Sequence, residues 1–388
     1  MSRPTSGDVS GAVADLGVLV PLSAALVLVN GLEPGALLIG AGALGLAAGL
    51  WFKVPFPVQP LKALTALAVS QQLAPDVIHA AGLEIGLLFV ILSMSRLADR
   101  LSRYFTKYVI RSLQFGVGTL LVMSAVRLAV DPPEVFRATP ETLPALLLAL
   151  AVLIAVALAS RYDWNAVAAS ILAVGVTVGW IVATPDLGSV SVALPDLELP
   201  PLAVFGSAFV LLVVPQVPLT YGNAVVGVSD LAREHFGERA SRVTPGAVAL
   251  SCGLGNVGAA VIGGMPMCHG SSGLSAHVRL GARTNAMNVL LGTTLIVVGV
   301  VFSHQVIELF GILPVWALAG FLAYAGLRHA LLILDLRGKR LALAVAAGLL
   351  GVVTGNLAYT TAFALVTGYE RRSPAPDDER REPTPDRG

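Results

Sequence analysis

The sequence predicts an all-α polytopic membrane protein with about 14 membrane segments, arranged as a 7+7 inverted repeat with half-helices at spans 3 and 10. Three observations lead to this prediction. The composition is strongly apolar, two proline-interrupted segments occupy corresponding places in the two halves, and the positive charge is clustered. Interrupted segments at corresponding places in two halves are typical of transporters, where they mark the binding site.

The composition places the chain in a lipid bilayer. Of its 388 residues, 55% are hydrophobic and 13% are charged, and the mean hydropathy of +0.79 is far too apolar for a soluble globular protein. Charge-free stretches at 143–160, 164–185 and 285–303 reach or approach the roughly 20 residues that cross a membrane. The net charge of +1 excludes nucleic acid or another polyanion as the main partner.

Apolar runs separated by charged or turn-forming residues define the predicted spans. In the first half they are 10–30, 34–53, 57–73, 77–95, 107–130, 141–160 and 164–183. In the second half they are 201–229, 244–264, 268–279, 284–303, 305–335, 341–354 and 355–369. The predicted domains are residues 1–183 (first repeat), 184–200 (extracytoplasmic loop), 201–369 (second repeat) and 370–388 (disordered cytoplasmic tail). Because seven is odd, the halves face the membrane in opposite senses.

Clustered Lys and Arg residues set the predicted orientation, because such clusters mark cytoplasmic loops. Threading from a cytoplasmic N-terminus puts the acidic loop 186–200 outside and four basic groups inside, at 96–107, 233–242, 337–340 and 371–372. Both termini are therefore predicted to be cytoplasmic, in a multi-pass protein of the cell membrane, the inner membrane of a bacterium. The first apolar run lacks the features of a cleavable signal and is expected to remain a span.

The predicted repeat rests on residues that match at an offset of 211 positions. They are Pro34, Gly35, Ala36, Gly42, Ala48 and Pro55 in the first half, and Pro245, Gly246, Ala247, Gly253, Ala259 and Pro266 in the second. Chance matching of Gly- and Ala-rich helices is the alternative, but chance would have to align both pairs of prolines as well.

The two interruptions predict an oxyanion site. Proline and glycine leave backbone groups unpaired, which hydrocarbon tolerates only where they line a protein cavity. A helix N-terminus offers free N–H groups and about half a positive charge, so two facing N-termini would bind an anion. The breaks supply Gln59 and Lys62, and His269, Gly270, Ser271, Ser272 and Gly273. The alternative is a pair of kinks whose polar residues satisfy freed carbonyls, but kinks alone do not require Lys62.

Ionisable residues within the predicted spans include Asp15, Lys62, Glu84, His277 and Arg279. A charge at the bilayer centre costs at least about 2.5–3.5 kcal/mol, so such residues are usually paired or functional. Asp15 could carry a coupling proton or neutralise Lys62 in the empty site, and Glu84 is a weaker candidate for the same role. A structural ion pair of Lys62 with either carboxylate is equally compatible with the sequence. Arg279 and Arg283 are expected to reach lipid headgroups.

A polar stripe on span 8 predicts that this helix forms a further wall of the site. Gln216, Thr220 and Asn223 recur at spacings of four and three, so they share one helical face. The same helix contains Pro215 and Pro218. The stripe is interpreted as a cavity wall, and hydrogen bonding between helices is the alternative.

The two cysteines, Cys252 and Cys268, lie in apolar stretches and predict neither a disulfide nor a CxxC metal site. The Cys268-His269 pair has no second ligand pair at zinc spacing, and the sequence contains no HExxH, GxSxG or P-loop. No metal, no cofactor and no enzymatic activity are therefore expected.

Four motifs resemble those of the molybdate transporters related to the sulfate permeases. They are Asp15-Leu-Gly…Pro21, Pro57-Val-Gln-Pro-Leu-Lys62-Ala, Pro215-Gln-Val-Pro-Leu-Thr220…Asn223 and Gly264-Met-Pro-Met-Cys-His-Gly270…Arg283. The resemblance covers essentially the whole membrane region. It implies a sulfate-permease-like fold without a C-terminal STAS domain, with a core domain (spans 1–4 and 8–11) and a gate domain (spans 5–7 and 12–14). It also implies molybdate binding between the two half-helices.

The chain departs from this family pattern at four positions. Leu61 replaces the usual Met, Ser272 the usual Gly, and His277 and Leu280 the usual Gln and Phe near the end of span 10. Ser272 keeps the site small and adds a hydroxyl, which suits an oxyanion. His277 could make transport sensitive to pH, and it leaves the detailed substrate preference open.

The sequence therefore predicts a secondary active importer of molybdate that works as a symporter. The predicted site residues are Gln59, Lys62, Gln216, Thr220, Asn223, His269, Gly270, Ser271, Ser272 and Gly273 for the substrate, and Asp15 and Glu84 for coupling. The alternatives are a transporter of sulfate or another oxyanion, an anion channel and, less favoured, a nucleobase transporter, which would be expected to offer carboxylates. The expected partners are molybdate or sulfate and membrane lipid. The coupling ion and the oligomeric state stay open, with a homodimer as one option.

Overall fold

Helices make up nearly all of the chain that the computed structural model describes, which is residues 5–94, 106–132, 142–162, 167–183, 192, 194–279 and 281–369. The helices are α1 (Ser6–Asn30), α2 (Pro34–Phe52), α3 (Lys62–Gln71), α4 (Pro75–Met94), α5 (Lys107–Val130), α6 (Thr142–Arg161), α7 (Val167–Ala183), α8 (Leu202–Ala240), α9 (Pro245–Val261), α10 (Ser271–Arg279), α11 (Ala286–Val301), α12 (Val306–Gly311), α13 (Val315–Ala330), α14 (Gly338–Thr354) and α15 (Leu357–Tyr369). The strands are β1 (Gln59–Pro60) and β2 (Met267–Cys268).

Among the described residues, five helical runs are long and apolar enough to cross a membrane, namely α2, α4, α5, α8 and Val315–Asp335. Shorter apolar helices of 10–17 residues accompany them, α9 and α11 included. Large apolar side chains such as Leu87, Ile91 and Val353 are exposed on helix surfaces. Exposed apolar surface of this kind marks contact with a membrane or with another protein.

Glycines bring two pairs of helices into backbone contact. α2 packs on α11, where a Cβ at Gly42 would lie 2.6 Å from the carbonyl oxygen of Gly292. α4 packs on α9, where a Cβ at Gly253 would lie 2.9 Å from the carbonyl oxygen of Gly86. Small residues allow such close approach, and in lipid this packing is a main force between helices. Gly42 and Gly253 are 211 positions apart and lie at comparable crossings.

A second group of helices packs around α5. A Cβ at Gly326 on α13 would lie 2.7 Å from the carbonyl oxygen of Gly118 on α5, and α14 and α15 pack on α5 as well. Near the start of α5, Arg111 Nη2 and Lys107 Nζ lie 2.8 and 3.0 Å from Asp335 Oδ2, just beyond α13. These ion pairs fasten the ends of α5 and α13 together.

Prolines interrupt the helical pattern between α2 and α3. Pro55, Pro57 and Pro60 lack N–H groups and disfavour helical geometry in the residues before them. Residues 53–61 are accordingly not helical, and α3 begins only at Lys62.

A two-stranded ladder joins the two interruptions. β1 and β2 pair antiparallel with Gln59 opposite Cys268, and the N–H of Leu61 donates to the Pro266 carbonyl over 3.0 Å. α3 and α10, of 10 and 9 residues, rise by about 15 and 14 Å. Each therefore covers about half of a hydrocarbon core about 30 Å thick.

Most predicted spans correspond to helices, with ends that differ by a few residues. The prediction of one helix over 305–335 is wrong: α12 ends at Gly311 and α13 begins at Val315, because Pro314 adopts extended backbone with ψ 108°. α8 continues past the predicted end at 229 to Ala240. Residues 95–105, most of the loop 184–200 (184–191 and 193) and the tail 370–388 lie outside the described residues. The span count, the repeat and the domain limits stay predictions.

Replacement of Gly253 by alanine is expected to destabilise the protein, because the added Cβ would meet backbone atoms, the nitrogen of Val90 at 2.7 Å among them. Overpacking of this kind costs about 1–3 kcal/mol. Gly258 in the same helix is the matched control, since a Cβ there meets nothing within 4 Å and alanine favours a helix. Thermal unfolding in detergent should give a lower Tm for Gly253→Ala only. Equal Tm values for the two variants would contradict the close crossing.

Candidate functional site

Two helix N-termini meet where β1 and β2 pair. The N-cap residue of α3, Leu61, makes no side-chain capping bond, and the first N–H groups of a helix have no partner within it. Lys62 Nζ donates to Ser272 Oγ over 3.1 Å and so bridges α3 and α10 directly. Ser272 is exposed and Lys62 is half-buried. The side chains at the two N-termini are therefore partly accessible at the surface of the protein.

Glycine lets the second break approach the first. A Cβ at Gly273 would lie 2.6 Å from Gln59 Nε2, so only glycine fits here without displacement. A Cβ at Gly270 would lie 3.0 Å from Gln59 Oε1 and 3.8 Å from both Asn223 Nδ2 and Ser272 Oγ. Polar atoms from β1, α8 and α10 thus surround the space beside Gly270.

An asparagine pairs both backbone groups of one residue in each break. Asn288 on α11 accepts from the N–H of Phe56 over 2.8 Å and donates to its carbonyl over 2.6 Å. Asn256 on α9 does the same for Met267 over 2.7 and 2.8 Å. Phe56 and Met267 are 211 positions apart. Asn256 and Asn288, here called the clamp asparagines, satisfy backbone groups that would each cost several kcal/mol if left unpaired in the membrane.

His269 is fully buried and uses both ring nitrogens. Nδ1 lies 2.8 Å from the Pro57 carbonyl oxygen, and Nε2 lies 2.9 Å from Ser251 Oγ. Because a carbonyl oxygen only accepts, Nδ1 carries the proton and Nε2 accepts from the serine hydroxyl. The ring also packs edge-on against Phe56, with centroids 4.7 Å apart. His269 therefore ties α9 to both breaks through its two nitrogens.

Polar side chains of α8 contact both N-termini. Gln216 Oε1 accepts from the N–H of Leu64 in the first turn of α3 over 2.9 Å, and Gln216 Nε2 donates to Thr220 Oγ1 over 2.8 Å. Two turns further on, Asn223 Oδ1 accepts a hydrogen bond from Ser271 Oγ at the start of α10. α8 thus holds both N-termini in place.

Segments of π geometry flank the two prolines of α8. They cover Phe209–Val213 and Thr220–Gly227, before Pro215 and after Pro218. A π turn changes the direction of the side chains that follow it, and such turns are frequent at functional sites. Thr220 and Asn223 both lie in the second π segment.

Asp15 on α1 lies behind the first break. Its Oδ2 accepts from the N–H of Val58 over 3.4 Å, and its Oδ1 accepts from Gln59 Nε2 over 3.3 Å. His277 Nε2 on α10 lies 3.1 Å from the same Oδ1. Asp15, Gln59 and His277 are all buried. Asp15 also borders a small cavity between α1, α2 and α11, with room for about one water molecule.

Asp8 fastens the first turn of α1 to the connection between α10 and α11. Its carboxylate accepts from the N–H groups of Arg283 and Thr284 over 3.1 and 3.0 Å, and from the N–H of Thr5 over 3.0 Å. Burial raises the pKa of Asp8, but these backbone donors outweigh burial and hold the pKa below its ordinary value. The stability that Asp8 adds is complete above the ordinary Asp range and is lost as pH falls through the lowered pKa.

The structure brings most of the predicted site residues together. Around the meeting of α3 and α10 lie Gln59, Lys62, Gln216, Thr220, Asn223, His269, Gly270, Ser271, Ser272 and Gly273, with Asp15 next to them. Glu84 is not among them: α4 packs on α9, and Glu84 Oε2 has no hydrogen-bond partner among the described residues. Within that part of the chain Lys62 forms no ion pair, and Asp15 lies beside His277 instead. Arg283 donates to the Val278 carbonyl at the end of α10.

Sequence reasoning missed three polar residues that support the site, namely Ser251, Asn256 and Asn288. Each is a polar side chain within an apolar helix, and its partner lies 11 to 232 positions away. A lone asparagine in a membrane span was the available signal, because such a side chain needs a partner in lipid.

The fold and the site together define a membrane transporter: apolar helices surround two interrupted helices, whose N-termini meet beside a lysine and an exposed serine. The fold resembles the transmembrane domain of the cyanobacterium bicarbonate transporter BicA, with a TM-score of 0.68, 19% identity, and coverage of 91% of this chain and 96% of that chain. It also resembles the murine Slc26a9 anion transporter in the inward-facing state, with a TM-score of 0.64, 14% identity, and coverage of 95% and 68%. These structures share the fold.

Sequence comparison identifies the family. The family model described as "Molybdate transporter of MFS superfamily" matches residues 7–121 and 208–328, and the chain belongs to this family. Molybdate transporter 2 of Arabidopsis thaliana is 28% identical over 379 residues, covering 87% of this chain and 81% of that protein. Molybdate transporter 1 of Chlamydomonas reinhardtii is 27% identical over 479 residues, covering 94% and 92%. The predicted family is confirmed, and it is one of transporters, not of enzymes.

Replacement of Asn288 by aspartate is expected to lower stability, because a carboxylate still accepts from Phe56 but no longer donates to its carbonyl. A buried polar group without a partner costs about 1–3 kcal/mol. Asn285→Asp is the matched control, since the Asn285 amide makes one bond, to the Gly49 carbonyl, and is only half-buried. Thermal unfolding in detergent should give a larger fall in Tm for Asn288→Asp. A larger fall for the control would remove the proposed role of the clamp.

Proposed function

We propose that this protein is a secondary active transporter that imports molybdate across the membrane, with the oxyanion bound between the N-termini of α3 and α10. The observation that carries the proposal is the bond from Lys62 to Ser272, which joins the two N-termini at an accessible point. Two relatives named molybdate transporters support the substrate. Two anion transporters of the same fold support the class.

The chemistry of the site suits a tetrahedral dianion. Such an anion has four acceptor oxygens and needs N–H and O–H donors around it. Free N–H groups of α3 and α10 and their partial positive charges supply part of this requirement. The Lys62 ammonium adds a full charge, and the hydroxyl of Ser272 adds a neutral donor. Charge-assisted bonds of this kind are roughly twice as strong as neutral ones.

An arriving oxyanion would insert between the ammonium and the hydroxyl and accept a hydrogen bond from each. The positive charge then gains a negative partner, and the helix N-termini are already in place. Preorganised donors lower the cost of binding, because little has to be ordered when the anion arrives.

The remaining polar residues would divide into two roles. Gln216, Asn223 and His269 hold the breaks through the bonds described above and so position the donors. Gln59 lies beside Gly270, and its Oε1 has no hydrogen-bond partner among the described residues. An amide oxygen cannot donate to an oxyanion, so Gln59 would contact the anion only after its amide group turns.

The inverted repeat is part of the proposal. α2 and α9 are equivalent in a 7+7 repeat, and so are α4 and α11, so the α2–α11 and α9–α4 packings would be one contact seen twice. Gly42 and Gly253 support this relation, as do Phe56 and Met267, which are clamped in the same manner at an offset of 211 positions.

Transport would involve two units that move against each other. The core would contain α1–α4 and α8–α11, and the gate α5–α7 and α12–α15. α3 and α8 contact α5 and α15 across the boundary, and Gln71 Nε2 at the end of α3 donates to the Gly355 carbonyl between α14 and α15. Movement along this boundary would expose the anion to one side and then to the other. Both termini would be cytoplasmic, and the loop 184–200 would lie outside.

Two alternatives share the same site. Sulfate is also a tetrahedral dianion with four acceptor oxygens, so the donors described above would serve sulfate or another oxyanion. An anion channel would use the same charges without concentrating its substrate.

Lys62→Ala is expected to weaken molybdate binding about tenfold or more, because a hydrogen bond to a charged group contributes about 1.5–3 kcal/mol and tenfold corresponds to about 1.4 kcal/mol. Ser272→Ala removes one neutral donor and should weaken binding less. Calorimetry on purified protein with molybdate and with sulfate measures both effects. Ser275→Ala is the matched control, because that hydroxyl bonds within α10 to the Ser271 carbonyl. Unchanged affinity in both site variants would remove Lys62 and Ser272 from the site.

Proteoliposomes with an imposed ion gradient distinguish the transport modes. A secondary active importer is expected to accumulate molybdate above its outside concentration, and competition by excess sulfate measures the preference between the two oxyanions. Mass detection of molybdenum in the vesicles provides the measurement, and Lys62→Ala is expected to reduce uptake. Equilibration without accumulation would favour a channel. Accumulation of sulfate in preference to molybdate would favour the sulfate alternative.

A further inference from the structure

We propose that Asp15, His277 and Gln59 form a proton-dependent switch that sets the oxyanion affinity of the site. The Asp15–His277 pair binds a proton, and the Gln59 amide responds by changing the group that it presents to the anion. The inference rests on the proposed function and names a proton as the coupling partner of the same site. It assigns to His277 and Gln59 roles in coupling that follow from their contacts.

A buried carboxylate and imidazole at ion-pair distance act as one proton-binding unit. Asp15 Oδ1 and His277 Nε2 lie 3.1 Å apart, and their residues are 1% and 0% exposed. Neither ring nitrogen of His277 has a hydrogen bond of good geometry among the described residues, so the contact with Asp15 is one of distance. Histidine is the side chain whose ordinary titration falls between about pH 5 and 8. Two groups this close take up and release protons together.

Gln59 connects this pair to the anion site through the two ends of one amide. Its Nε2 donates to Asp15 Oδ1 over 3.3 Å. Its Oε1 lies at the space beside Gly270, where a Cβ would be 3.0 Å away, and it lacks a hydrogen-bond partner among the described residues. In this state an acceptor, not a donor, faces the place of the anion. An unpaired buried acceptor is costly, so the arrangement favours a change in which the amide gains a second bond.

Protonation of the pair would reverse the amide. A protonated Asp15 donates to Gln59 Oε1, and the amide, turned by half a rotation, presents Nε2–H to the oxyanion. Protonation of His277 instead adds a positive charge behind the same amide. In both cases one proton enters from water when the anion binds and leaves when the anion is released, and no other bond is made or broken. The small cavity beside Asp15 offers room for about one water molecule to carry that proton.

Other titratable groups lie on the described elements that pack around the pair. The Asp15 carboxylate acts electrostatically on Lys62 and His269, and both nitrogens of His269 are already bonded. α2 and α11 line the cavity with apolar residues, glycines and Asn288 only. The other charged or titratable residues on elements packed against α1 and α10 are Asp8, Tyr221, Asp230, Arg233, Glu234, His235, Glu238, Arg239, Cys268, Arg279, Glu308, Tyr324, Arg328 and His329. Asp8 is bonded to the residues that follow α10.

The test is calorimetry of molybdate binding between about pH 5 and 8, in pairs of buffers that differ in ionisation enthalpy. The buffer dependence of the heat gives the number of protons taken up. For the wild type we expect proton uptake and an affinity that weakens with rising pH, by up to about tenfold per unit, the limit for one proton. Asp15→Asn, His277→Gln and Gln59→Leu should each flatten this slope and reduce the proton uptake.

His79→Gln is the matched control, because His79 is another largely buried histidine that lies on α4, outside the site. It should keep the slope of the wild type. Binding by the wild type without proton uptake would overturn the proposed switch and leave the proposed function intact. So would a wild-type pH dependence of molybdate affinity in both His277→Gln and Asp15→Asn. A slope lost in His79→Gln would also overturn the proposed switch. Absence of molybdate binding by the wild type at every pH would instead contradict the proposed function.

Discussion

Backbone groups that prolines set free in the middle of a membrane must find partners within the protein, and the centre of this structure is organised around that requirement. The β1–β2 ladder, the clamp asparagines and His269 provide those partners. Once the backbone groups of the breaks are paired in this way, α3 and α10 can begin within the protein, with the first N–H groups of each helix unpaired by the helix itself. The same breaks that threaten the fold therefore create the donors that an anion needs.

The parts of this structure that were predictable from sequence are those that local chemistry determines. The interruptions follow from prolines and glycines that recur at a fixed offset, and the helices follow from apolar runs of sufficient length. The division of 305–335 was missed because no charged residue lies between Glu308 and Arg328 and only Pro314 marks the break. The pairing of Asp15 with His277 in place of Lys62 was not predictable, because it depends on how helices far apart in sequence pack.

The two breaks are similar but not identical in how they are held. Both clamp asparagines lie in the second half of the chain, so one break is secured by a helix of its own half and the other by a helix of the opposite half. His269 likewise has no counterpart at the first break, where the corresponding position is Val58. The two breaks therefore share a backbone arrangement, but different side chains stabilise them. The bond between Gln59 and Asp15, both in the first half, is one of these differences.

The short ladder between β1 and β2 has a consequence for how this protein would choose its cargo. Because the ladder couples the two half-helices directly, their hydrogen-bond donors would move together as a rigid unit. The positions of these donors would not adjust to each anion. Selection between anions would then occur at the binding step, and the rate of the later transport step would depend little on which anion is bound. Two oxyanions of equal charge would differ in half-saturation far more than in maximal velocity.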